Sequence, residues 1–511
     1  MVDHTTHSNP PTILGLHQVP MISDTGTSPS TGGHPLTRTN GQHGEKRKVF
    51  FHQADAINRL GTMAHALLAY DMGLGKTLIL IQALSNRNTP KAIVVTKAAL
   101  LDHWQFEANL EDMPIYRLSD RDTESTIAEF SIATRGILLM SFERLVSNVS
   151  TINKYIVNSF VYPQLIIDEC HLLANPISQR TQACGMLHKS GVWLSTGTPI
   201  MNGTEDLFST LTLLQVWDGS LPKFRKEFMK ISYSIKNPYT RKNIDIWIPQ
   251  DNGPSRLHAL LEPVTLRMIG DKLKPQVETK LITFNEPKRE YEEIPDFNEQ
   301  LANLTRKRIA YATVIERSPR TDVLYHILKY LESESQMLLV TSFEIVARDL
   351  VKLLTTWGYK TGIIAGTKTH KARTQTIAQA NVQAIQILVV VNQAGREGLN
   401  LPSFQSIVFW DGDWTDSGHH QIIDRIRRIT SRHPTVRVYE LLGSESPDQE
   451  LLAVRKQKER ITSAFWNNEL LSNTVVPTLS ARSSSVESSV EDFQGSDFLR
   501  LLQGQVQGSK S

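Results

Sequence analysis

The sequence predicts an α/β protein with two parallel-sheet lobes in tandem, a helical insertion between the lobes and a disordered tail at each end. Short apolar, β-branched runs alternate with helix-length segments in two separate sets along the 511 residues, which is typical of parallel sheets covered by helices. A polar stretch at 231–258 separates the two sets. The first 45 residues are rich in Thr, Ser, Pro, Gly and His, and the last forty or so are rich in Ser, a composition typical of disordered segments.

The predicted domain boundaries follow these changes of pattern. We expect an N-terminal arm at 1–45, a first lobe at 46–235, a helical insertion or linker at 236–319, a second lobe at 320–470 and a mostly disordered C-terminal tail at 471–511. After the apolar run that opens the first lobe, its candidate strands lie at 92–96, 136–141, 164–169 and 191–196. The candidate strands of the second lobe lie at 336–342, 361–366, 385–391, 406–411 and 436–441.

Bulk composition limits the protein class. A hydrophobic content of 40% and a charged content of 21% are typical of a globular protein, and the formal net charge of +3 neither requires nor excludes nucleic acid. No apolar run has the length needed to cross a bilayer, and the N-terminus lacks the pattern of a secretion signal. Cys170 and Cys184, the two cysteines, exclude a disulfide framework and favour a reducing compartment. The five histidines before residue 45 lack metal-ligand spacing, so we expect a solvated arm.

The stretch LLAYDMGLGKTLIL at 67–80 is predicted to form a buried strand, a phosphate loop and the first turns of a helix. Gly73 and Gly75 would let the backbone N–H groups point towards a phosphate chain. Lys76 would reach the β- and γ-phosphates, and the Thr77 hydroxyl would hold Mg²⁺. The strict motif has glycine where Tyr70 stands, so by itself this stretch leaves open a chance Gly-Lys-Thr turn.

The strand QLIIDECH at 164–171 brings two carboxylates to its carboxyl end. Asp168 would coordinate Mg²⁺, and Glu169 would orient or deprotonate an attacking water molecule. An acidic pair after a strand is often a simple helix cap. The combination of this pair with a phosphate loop on a neighbouring parallel strand is much rarer and indicates nucleotide hydrolysis.

The motifs DMGLGKT, DECH and STGTP (195–199) resemble those of the superfamily-two helicase-type ATPases, and TGTPIMNGTEDLFSTL resembles the Swi/Snf-like branch of DNA-translocating and chromatin-remodelling ATPases. The resemblance covers residues 45–465, and its elements follow the family's order. They are FHQ at 51–53, VVTKAALLDHW at 94–104, MSFERL at 140–145, LLEPVTLRM at 260–268, LLVTSF at 338–343, IIAGT at 363–367 and the stretch 390–429.

This resemblance implies two RecA-like lobes that bind ATP and Mg²⁺ between them. The implied catalytic residues are Lys76, Asp168, Glu169, Arg425 and Arg428, and the implied Mg²⁺ ligands are Thr77 and Asp168. The implied ATP-binding residues are Gln53, Met72, Gly73, Leu74, Gly75, Lys76, Thr77, Gly398 and Gln421, with Gln53 reading adenine.

The spacing of Gln421, Arg425 and Arg428 predicts that they share one helix face. Such a face could be a solvated stripe. In a two-lobe ATPase we interpret the arginines as fingers that reach across the cleft to the γ-phosphate, with the glutamine supporting them.

Duplex DNA is the implied partner, lying across both lobes away from the ATP, and nucleosomes are a further candidate. The candidate phosphate contacts, which do not read base sequence, are backbone amides and short polar side chains near Thr96, Lys97, Ser141, Thr367, Asn392 and Gln393. We therefore expect sequence-independent, salt-sensitive binding. Trp104 is a candidate stacking residue, although a buried core tryptophan is the favoured interpretation.

Four departures from the family pattern leave every catalytic group in place. Family members usually carry acids at both of the positions that are Tyr70 and Asp71 here, and Cys170 replaces their common glycine or alanine, which favours a packing role over a redox switch. Arg396 and Glu397 replace smaller residues, and Thr430 and Ser431 replace Gly-Gln.

The leading functional hypothesis is a DNA-dependent ATPase that translocates on duplex DNA and remodels chromatin or other protein–DNA complexes, or serves DNA repair or recombination. The alternatives are a DEAH-like helicase that unwinds RNA or DNA and a non-hydrolysing nucleic-acid-binding scaffold.

The C-terminal tail could fold on a protein partner through Phe493, Phe498, Leu499 and Leu502, or could be a plain tail. The resemblance implies a nuclear location, or a cytoplasmic one if the source is prokaryotic or viral. This expectation rests on the resemblance alone, because KRK at 46–48 is too short to act as a convincing import signal.

Overall fold

The structure, a computed structural model, describes most of the chain between the two ends. The described residues are 49–119, 122–157, 159, 161–200, 203–236, 243–270, 273–291, 300–331, 336–366, 370–395, 399–413 and 416–468. Both predicted tails, including Phe493, Phe498, Leu499 and Leu502, therefore lie outside the described residues. Among the helices that are described, none combines the length and apolar character needed to cross a membrane.

The first lobe is built on a seven-stranded parallel sheet in the order β3-β4-β2-β5-β6-β1-β9, with a separate antiparallel hairpin of β7 and β8. Its strands are β1 (His65–Tyr70), β2 (Lys91–Thr96), β3 (Ile115–Arg117), β4 (Gly136–Ser141), β5 (Gln164–Asp168), β6 (Gly191–Ser195), β7 (Met229–Lys236), β8 (Asn243–Pro249) and β9 (Thr265–Met268). Its helices are α1 (Phe51–Thr62), α2 (Lys76–Ser85), α3 (Leu101–Leu110), α4 (Thr123–Ile132), α5 (Phe142–Ile156), α6 (Gln179–Met186), α7 (Leu207–Leu213), α8 (Leu221–Phe228) and α9 (Gly253–Leu261).

The central strands of this sheet are buried along their whole length, as β2, β4, β5 and β6 show. Ile93 and Val95 pack on one face of the sheet, whereas Ala92, Val94 and Ile166 pack on the other. Helices cover both faces, so each strand is an almost continuous apolar run. The sequence predicts these strands to within about two residues because nearly every position favours burial.

The second lobe is built on a six-stranded parallel sheet in the order β10-β15-β14-β11-β13-β12. Its strands are β10 (Gln276–Phe284), β11 (Met337–Thr341), β12 (Thr361–Ile364), β13 (Ile387–Val391), β14 (Ser406–Phe409) and β15 (Thr435–Gly443). Its helices are α10 (Gln300–Ala312), α11 (Pro319–Tyr330), α12 (Glu344–Thr356), α13 (His370–Asn381), α14 (Asn392–Gly395), α15 (Asp416–Ile423) and α16 (Asp448–Asn467). The predicted α/β class with two parallel-sheet lobes is confirmed.

The region between the lobes contributes strands to both sheets in addition to the helices α9 and α10. β9 pairs with β1 at the edge of the first sheet, and β10 pairs with β15 at the edge of the second sheet. The sequence pattern does not predict these two strands. β9 is only four residues long, and several side chains of β10 face solvent, so neither has the apolar pattern of a central strand.

Helix α16 begins in the second lobe and ends against the first. Phe465, near its C-terminus, has no solvent exposure and belongs to the apolar core of the first lobe. The Arg267 guanidinium lies 4.2 Å from the centroid of the Trp466 ring, and Ser255 donates a hydrogen bond of 2.6 Å to the Asn468 side chain. Helix α16, which lies within the predicted second-lobe boundaries of 320–470, therefore joins both lobes.

Candidate functional site

The predicted phosphate loop connects β1 to α2 and depends on two glycines. Gly73 and Gly75 both have φ of +80°, a left-handed conformation that glycine adopts without a Cβ penalty. A Cβ added at Gly75 would overlap Nε2 of Gln53. Lys76 is the first residue of α2, so the loop leads directly into the positive end of a helix, where anions bind favourably.

Gln53, in α1, connects this helix to the loop by hydrogen bonds. It is buried, its Nε2 donates to the Leu74 carbonyl at 3.1 Å, and its Oε1 accepts from the Phe50 amide at 3.0 Å. An amide side chain has two N–H donors and two acceptor lone pairs, so one of each remains beyond these two contacts. The role of Gln53 in reading adenine stays a prediction.

The Lys76 side chain contacts the start of the loop. Its Nζ donates to the Tyr70 carbonyl at 3.0 Å and to the Asp71 carbonyl at 3.4 Å. Burial lowers the pKa of Lys76, and the nearby carboxylates of Glu169 and Asp168 oppose that shift. The ammonium group is thus held among the loop carbonyls and close to both acids.

Asp168 ends β5, next to β6 and close to the loop. Its Oδ2 accepts from Trp104 Nε1 at 2.9 Å and from Thr96 Oγ1 at 3.3 Å, and its Oδ1 accepts from the Glu169 amide at 3.1 Å. Burial raises the pKa of Asp168, as does the charge of Glu169, whereas the Trp104 hydrogen bond and Lys76 lower it. These donors fix the orientation of the carboxylate.

The burial of Trp104 and Thr96 confirms the favoured core interpretation of Trp104 and contradicts a phosphate contact by the Thr96 side chain. Trp104 and Thr96 have no solvent exposure, and both side chains donate to Asp168. Trp104 is therefore not available to stack on a base, as its favoured interpretation held, and the Thr96 side chain cannot contact a phosphate. Both belong to the layer of residues that supports the acidic pair.

Glu169 occupies a strained position directly after β5. Its φ of +54° lies in the left-handed region, which costs a non-glycine residue about 1–2 kcal/mol. Its Oε2 lies 3.3 Å from Nδ1 of His171, which in turn lies 3.1 Å from Oγ1 of Thr196. Burial disfavours the charged form of Glu169, but His171, Lys76 and Lys97 outweigh burial and lower its pKa to about 2. Glu169 is therefore an ionised carboxylate at neutral pH.

The STGTP segment packs against the phosphate loop. The Thr196 amide donates to the Leu68 carbonyl at 3.2 Å, and its hydroxyl accepts from the Thr198 amide at 3.0 Å. A Cβ added at Gly197 would lie 3.2 Å from Cγ of Met72. Through Thr196 and His171, this segment connects the phosphate loop with Glu169.

Arg428 brings the second lobe to the same loop. A Cβ added at Gly73 would lie 3.9 Å from Cγ of Arg428, and Ile429 packs against the apolar core of the first lobe. Nη2 of Arg428 donates to the Leu399 carbonyl at 2.8 Å, whereas its buried Nε has no hydrogen-bond partner within the described part of the chain. Burial lowers the pKa of Arg428, although Asp424 opposes this shift. A buried guanidinium with an unused donor fits an anionic ligand.

The single helix face predicted for Gln421, Arg425 and Arg428 is wrong, because α15 ends at Ile423. The chain then continues in turns in which the Arg425 amide donates to Ile422 and the Arg428 amide donates to the Ser431 hydroxyl at 2.8 Å. The Ser431 hydroxyl also donates to the Ile426 carbonyl. Ser431, one of the departures from the family pattern, thus stabilises the turn that presents Arg428.

The residues present fit Mg²⁺ together with a nucleotide. Within the described ranges, no group of three or more His, Cys, Asp or Glu residues could hold a metal ion by itself. Mg²⁺ commonly uses one or two protein carboxylates together with waters and substrate phosphates. Asp168 with the hydroxyl of Thr77, in the first turn of α2, would supply such a partial set of ligands.

The remaining predicted residues vary in exposure. Gln421, Arg425 and Asn392 are buried, and Ser141 is buried as the N-cap of α5, where it accepts from the Arg144 amide at 3.3 Å. Lys97 is partly exposed after β2, and Gln393 is exposed in α14. Thr367, Arg396, Glu397 and Gly398 lie outside the described residues.

Family comparisons identify the class of protein. Residues 50–319 match the SNF2-related domain, and residues 320–430 match the Helicase conserved C-terminal domain. The first match covers more than half of the chain. The chain belongs to the SNF2-related family of helicase-type ATPases.

Individual relatives come from bacteria and eukaryotes. The chain is 24% identical over 424 residues to an uncharacterized ATP-dependent helicase of Mycoplasma pneumoniae, covering 78% of this chain and 40% of the relative. It is also 24% identical over 451 residues to the human SWI/SNF-related matrix-associated actin-dependent regulator of chromatin subfamily A member 1, covering 78% and 41% of the two chains. The chain thus spans about two fifths of these curated relatives. This range of relatives does not assign a compartment, so the nuclear location stays a prediction.

Among solved structures, the chain is similar to that of the Sulfolobus solfataricus SWI2/SNF2 ATPase core in complex with dsDNA. The sequence identity is 19% and the TM-score is 0.39, with 83% of this chain and 95% of that chain covered.

Proposed function

We propose that this chain hydrolyses ATP at the junction of its two lobes and uses the hydrolysis to translocate on duplex DNA. The observation that carries the proposal is the approach of Arg428 from the second lobe to Gly73 of the phosphate loop in the first lobe. An ATP site divided between two lobes can link hydrolysis to their relative movement. Membership of the SNF2-related family supports the ATPase part of the proposal.

Each predicted group has a defined task in this proposal. The loop amides and Lys76 would hold the phosphates, and Thr77 and Asp168 would hold Mg²⁺, which would supply positive charge to neutralise the phosphates. The ionised Glu169 orients the attacking water and accepts its proton. Arg428, assisted by Arg425, neutralises charge on the γ-phosphate, a contribution worth about 10³-fold or more in turnover.

Duplex DNA would lie across both lobes on the face opposite the nucleotide. Lys97 and Gln393, the most accessible of the described candidates, would contact backbone phosphates without reading the base sequence. Each cycle of closing on ATP and opening after hydrolysis would move one lobe along the duplex relative to the other. Such movement would displace proteins from DNA, in chromatin remodelling or in repair and recombination.

The nucleic acid that stimulates ATP turnover tests this proposal. Turnover is measured at one salt concentration without nucleic acid and with single-stranded DNA, duplex DNA, RNA or nucleosomes. Translocation is measured in parallel by the displacement of a third strand from a DNA triplex. We expect duplex DNA to stimulate both activities, with a stimulation that falls as salt rises. RNA as the strongest stimulator, or robust unwinding of a duplex without triplex displacement, would contradict translocation on duplex DNA.

Glu169→Gln provides the chemical control, because it keeps the size of the side chain and removes the carboxylate. We expect this variant to bind ATP and to lose turnover with every nucleic acid. Turnover that Glu169→Gln leaves unchanged would exclude hydrolysis at this site.

A further inference from the structure

A buried lysine lies between the phosphate loop and the turn that carries Arg428. Lys274 precedes β10, and its side chain has no solvent exposure. Its Nζ lies 3.4 Å from each carboxylate oxygen of Asp424 in the second lobe and 3.9 Å from Oδ2 of Asp71 in the first lobe. One cation is thus shared by a carboxylate from each lobe.

The backbone around Lys274 holds it in this position. The Gly270 amide donates to Oδ2 of Asp71 at 2.8 Å, and the Lys274 amide donates to the Gly270 carbonyl at 3.1 Å. A Cβ added at Gly270 would lie 2.8 Å from Cε of Lys274. The second lobe is attached to the same segment, because Nε of Arg427 donates to the Pro275 carbonyl at 2.8 Å.

The position of the two carboxylates along the chain links this contact to the proposed ATP site. Asp71 lies two residues before Gly73 in the phosphate loop, and Asp424 lies four residues before Arg428. A buried ammonium group is stable only while it is paired, so its separation from either carboxylate is unfavourable unless water replaces the lost partner. The shared ion pair therefore favours the lobe arrangement in which Arg428 lies against the loop.

We propose that Lys274 is a positioning residue that couples the phosphate loop to the turn 424–428 by binding Asp71 and Asp424 at the same time. This inference rests on the proposed ATP hydrolysis at the junction. Lys274 acts through Arg428 and does not itself touch the nucleotide. Its loss lowers the population of the arrangement with Arg428 at the loop, so it lowers turnover more than ATP affinity.

The test compares Lys274→Met with Lys288→Met, a matched substitution at an exposed lysine of the same inter-lobe region. For each full-length variant, the turnover number, the affinity for a non-hydrolysable fluorescent ATP analogue and the inter-lobe distance are measured. The distance is obtained by pulsed EPR between spin labels at the exposed positions Asn109 and Gln379. We expect Lys274→Met to lower the turnover number about 10- to 100-fold, to change analogue affinity less than about threefold and to broaden the distance distribution. Lys288→Met should match the wild type.

Asp424→Asn and the double variant Lys274→Met/Asp424→Asn complete a mutant cycle and allow the test even if Lys274→Met is unstable. If Lys274 and Asp424 are coupled, the double variant should lose less turnover than the product of the losses in the two single variants. Independent effects on turnover, or distance distributions identical to that of the wild type, would overturn the role of Lys274. If the wild type shows no turnover, the proposed function fails, while the distance measurements still report whether Lys274 holds the lobes.

Discussion

The indole N–H of Trp104 donates to Oδ2 of Asp168 over 2.9 Å, and both residues are buried. This bond crosses from α3 to the end of β5 and fixes one oxygen of the predicted Mg²⁺ ligand. Hydrogen bonds to metal-binding side chains orient those ligands, and their loss commonly costs about 10- to 100-fold in metal affinity or activity.

Trp104→Phe should therefore raise the Mg²⁺ concentration needed for half-maximal ATP turnover about tenfold or more. Trp193→Phe is the matched control, because Trp193 is also fully buried and its indole donates to the Met63 carbonyl at 2.9 Å, away from the acidic pair. A Mg²⁺ titration of turnover with both variants checks the prediction. Equal Mg²⁺ requirements in the two variants would show that Trp104 has only a packing role.

A second prediction concerns Gly75, where an added Cβ would overlap Gln53 and φ is +80°. Gly75→Ala should weaken binding of a fluorescent ATP analogue at least about tenfold, because the strain of about 1–2 kcal/mol distorts the loop that presents its amides. Gly61→Ala is the control, since a Cβ added there meets no atom within 4 Å. Gly61 lies inside α1, so its substitution should stabilise the protein by about 0.5–1 kcal/mol. Normal analogue binding by Gly75→Ala would argue against a phosphate role for the loop.

The end of α16 provides a stability prediction. Phe465→Ala should lower the free energy of unfolding by about 3–5 kcal/mol, because it removes a fully buried ring from the core of the first lobe. Phe106→Ala, at a ring that is 52% exposed, should cost much less. Urea unfolding of both variants measures the difference. Similar losses would mean that the end of α16 does not pack in the first lobe.

A pH dependence of stability should come from Glu440. Burial opposes its ionisation, but hydrogen bonds and charges from His419 and Arg455 outweigh burial and lower its pKa from 4.5 to about 2. Because the folded pKa lies below the unfolded one, the ionised group stabilises the fold above pH 4.5 by about 3 kcal/mol. That contribution is lost as the pH falls from 4.5 towards 2.

Glu440→Gln should reduce stability at neutral pH by about 3–5 kcal/mol, because the buried Arg455 loses the carboxylate that accepts its hydrogen bonds of 2.6 and 2.8 Å. The difference from the wild type should shrink as the pH falls below 4.5. Glu445→Gln, at an exposed position, should follow the wild-type curve. Urea unfolding of the three proteins between pH 2.5 and 7 measures these free energies. If the difference between Glu440→Gln and the wild type did not vary with pH, Glu440 would be excluded as the source of the pH dependence.

Elements with a local sequence pattern were predicted correctly, whereas an element that depends on tertiary contacts was not. The buried strands β2 and β5 carry their own signal, since nearly every residue favours a covered sheet. The phosphate loop and acidic pair are likewise local motifs. The edge strand β10 has no such signal, because several of its side chains face solvent and its pairing with β15 depends on tertiary contacts.

Predictions of the site were least complete where residues distant in sequence meet. Trp104 and Asp168 are 64 positions apart, and Lys274 and Asp424 are 150 positions apart, so no local pattern could pair them. The helix expected to carry Arg425 and Arg428 ends at Ile423, and the Arg428 amide donates instead to the Ser431 hydroxyl in a turn. The identity of the arginines follows from the motif, but their backbone conformation requires the structure.

The central claim is that residues from both lobes form one ATP-hydrolysing site, and Arg428→Ala tests it most directly. In the presence of duplex DNA, we expect the turnover number of this variant to fall about 10³-fold or more, with a much smaller change in ATP affinity. Arg432→Ala, at an exposed arginine four residues later, should retain wild-type turnover. Turnover of Arg428→Ala within a few-fold of the wild type, or equal losses in turnover and ATP affinity, would contradict a site completed by the second lobe.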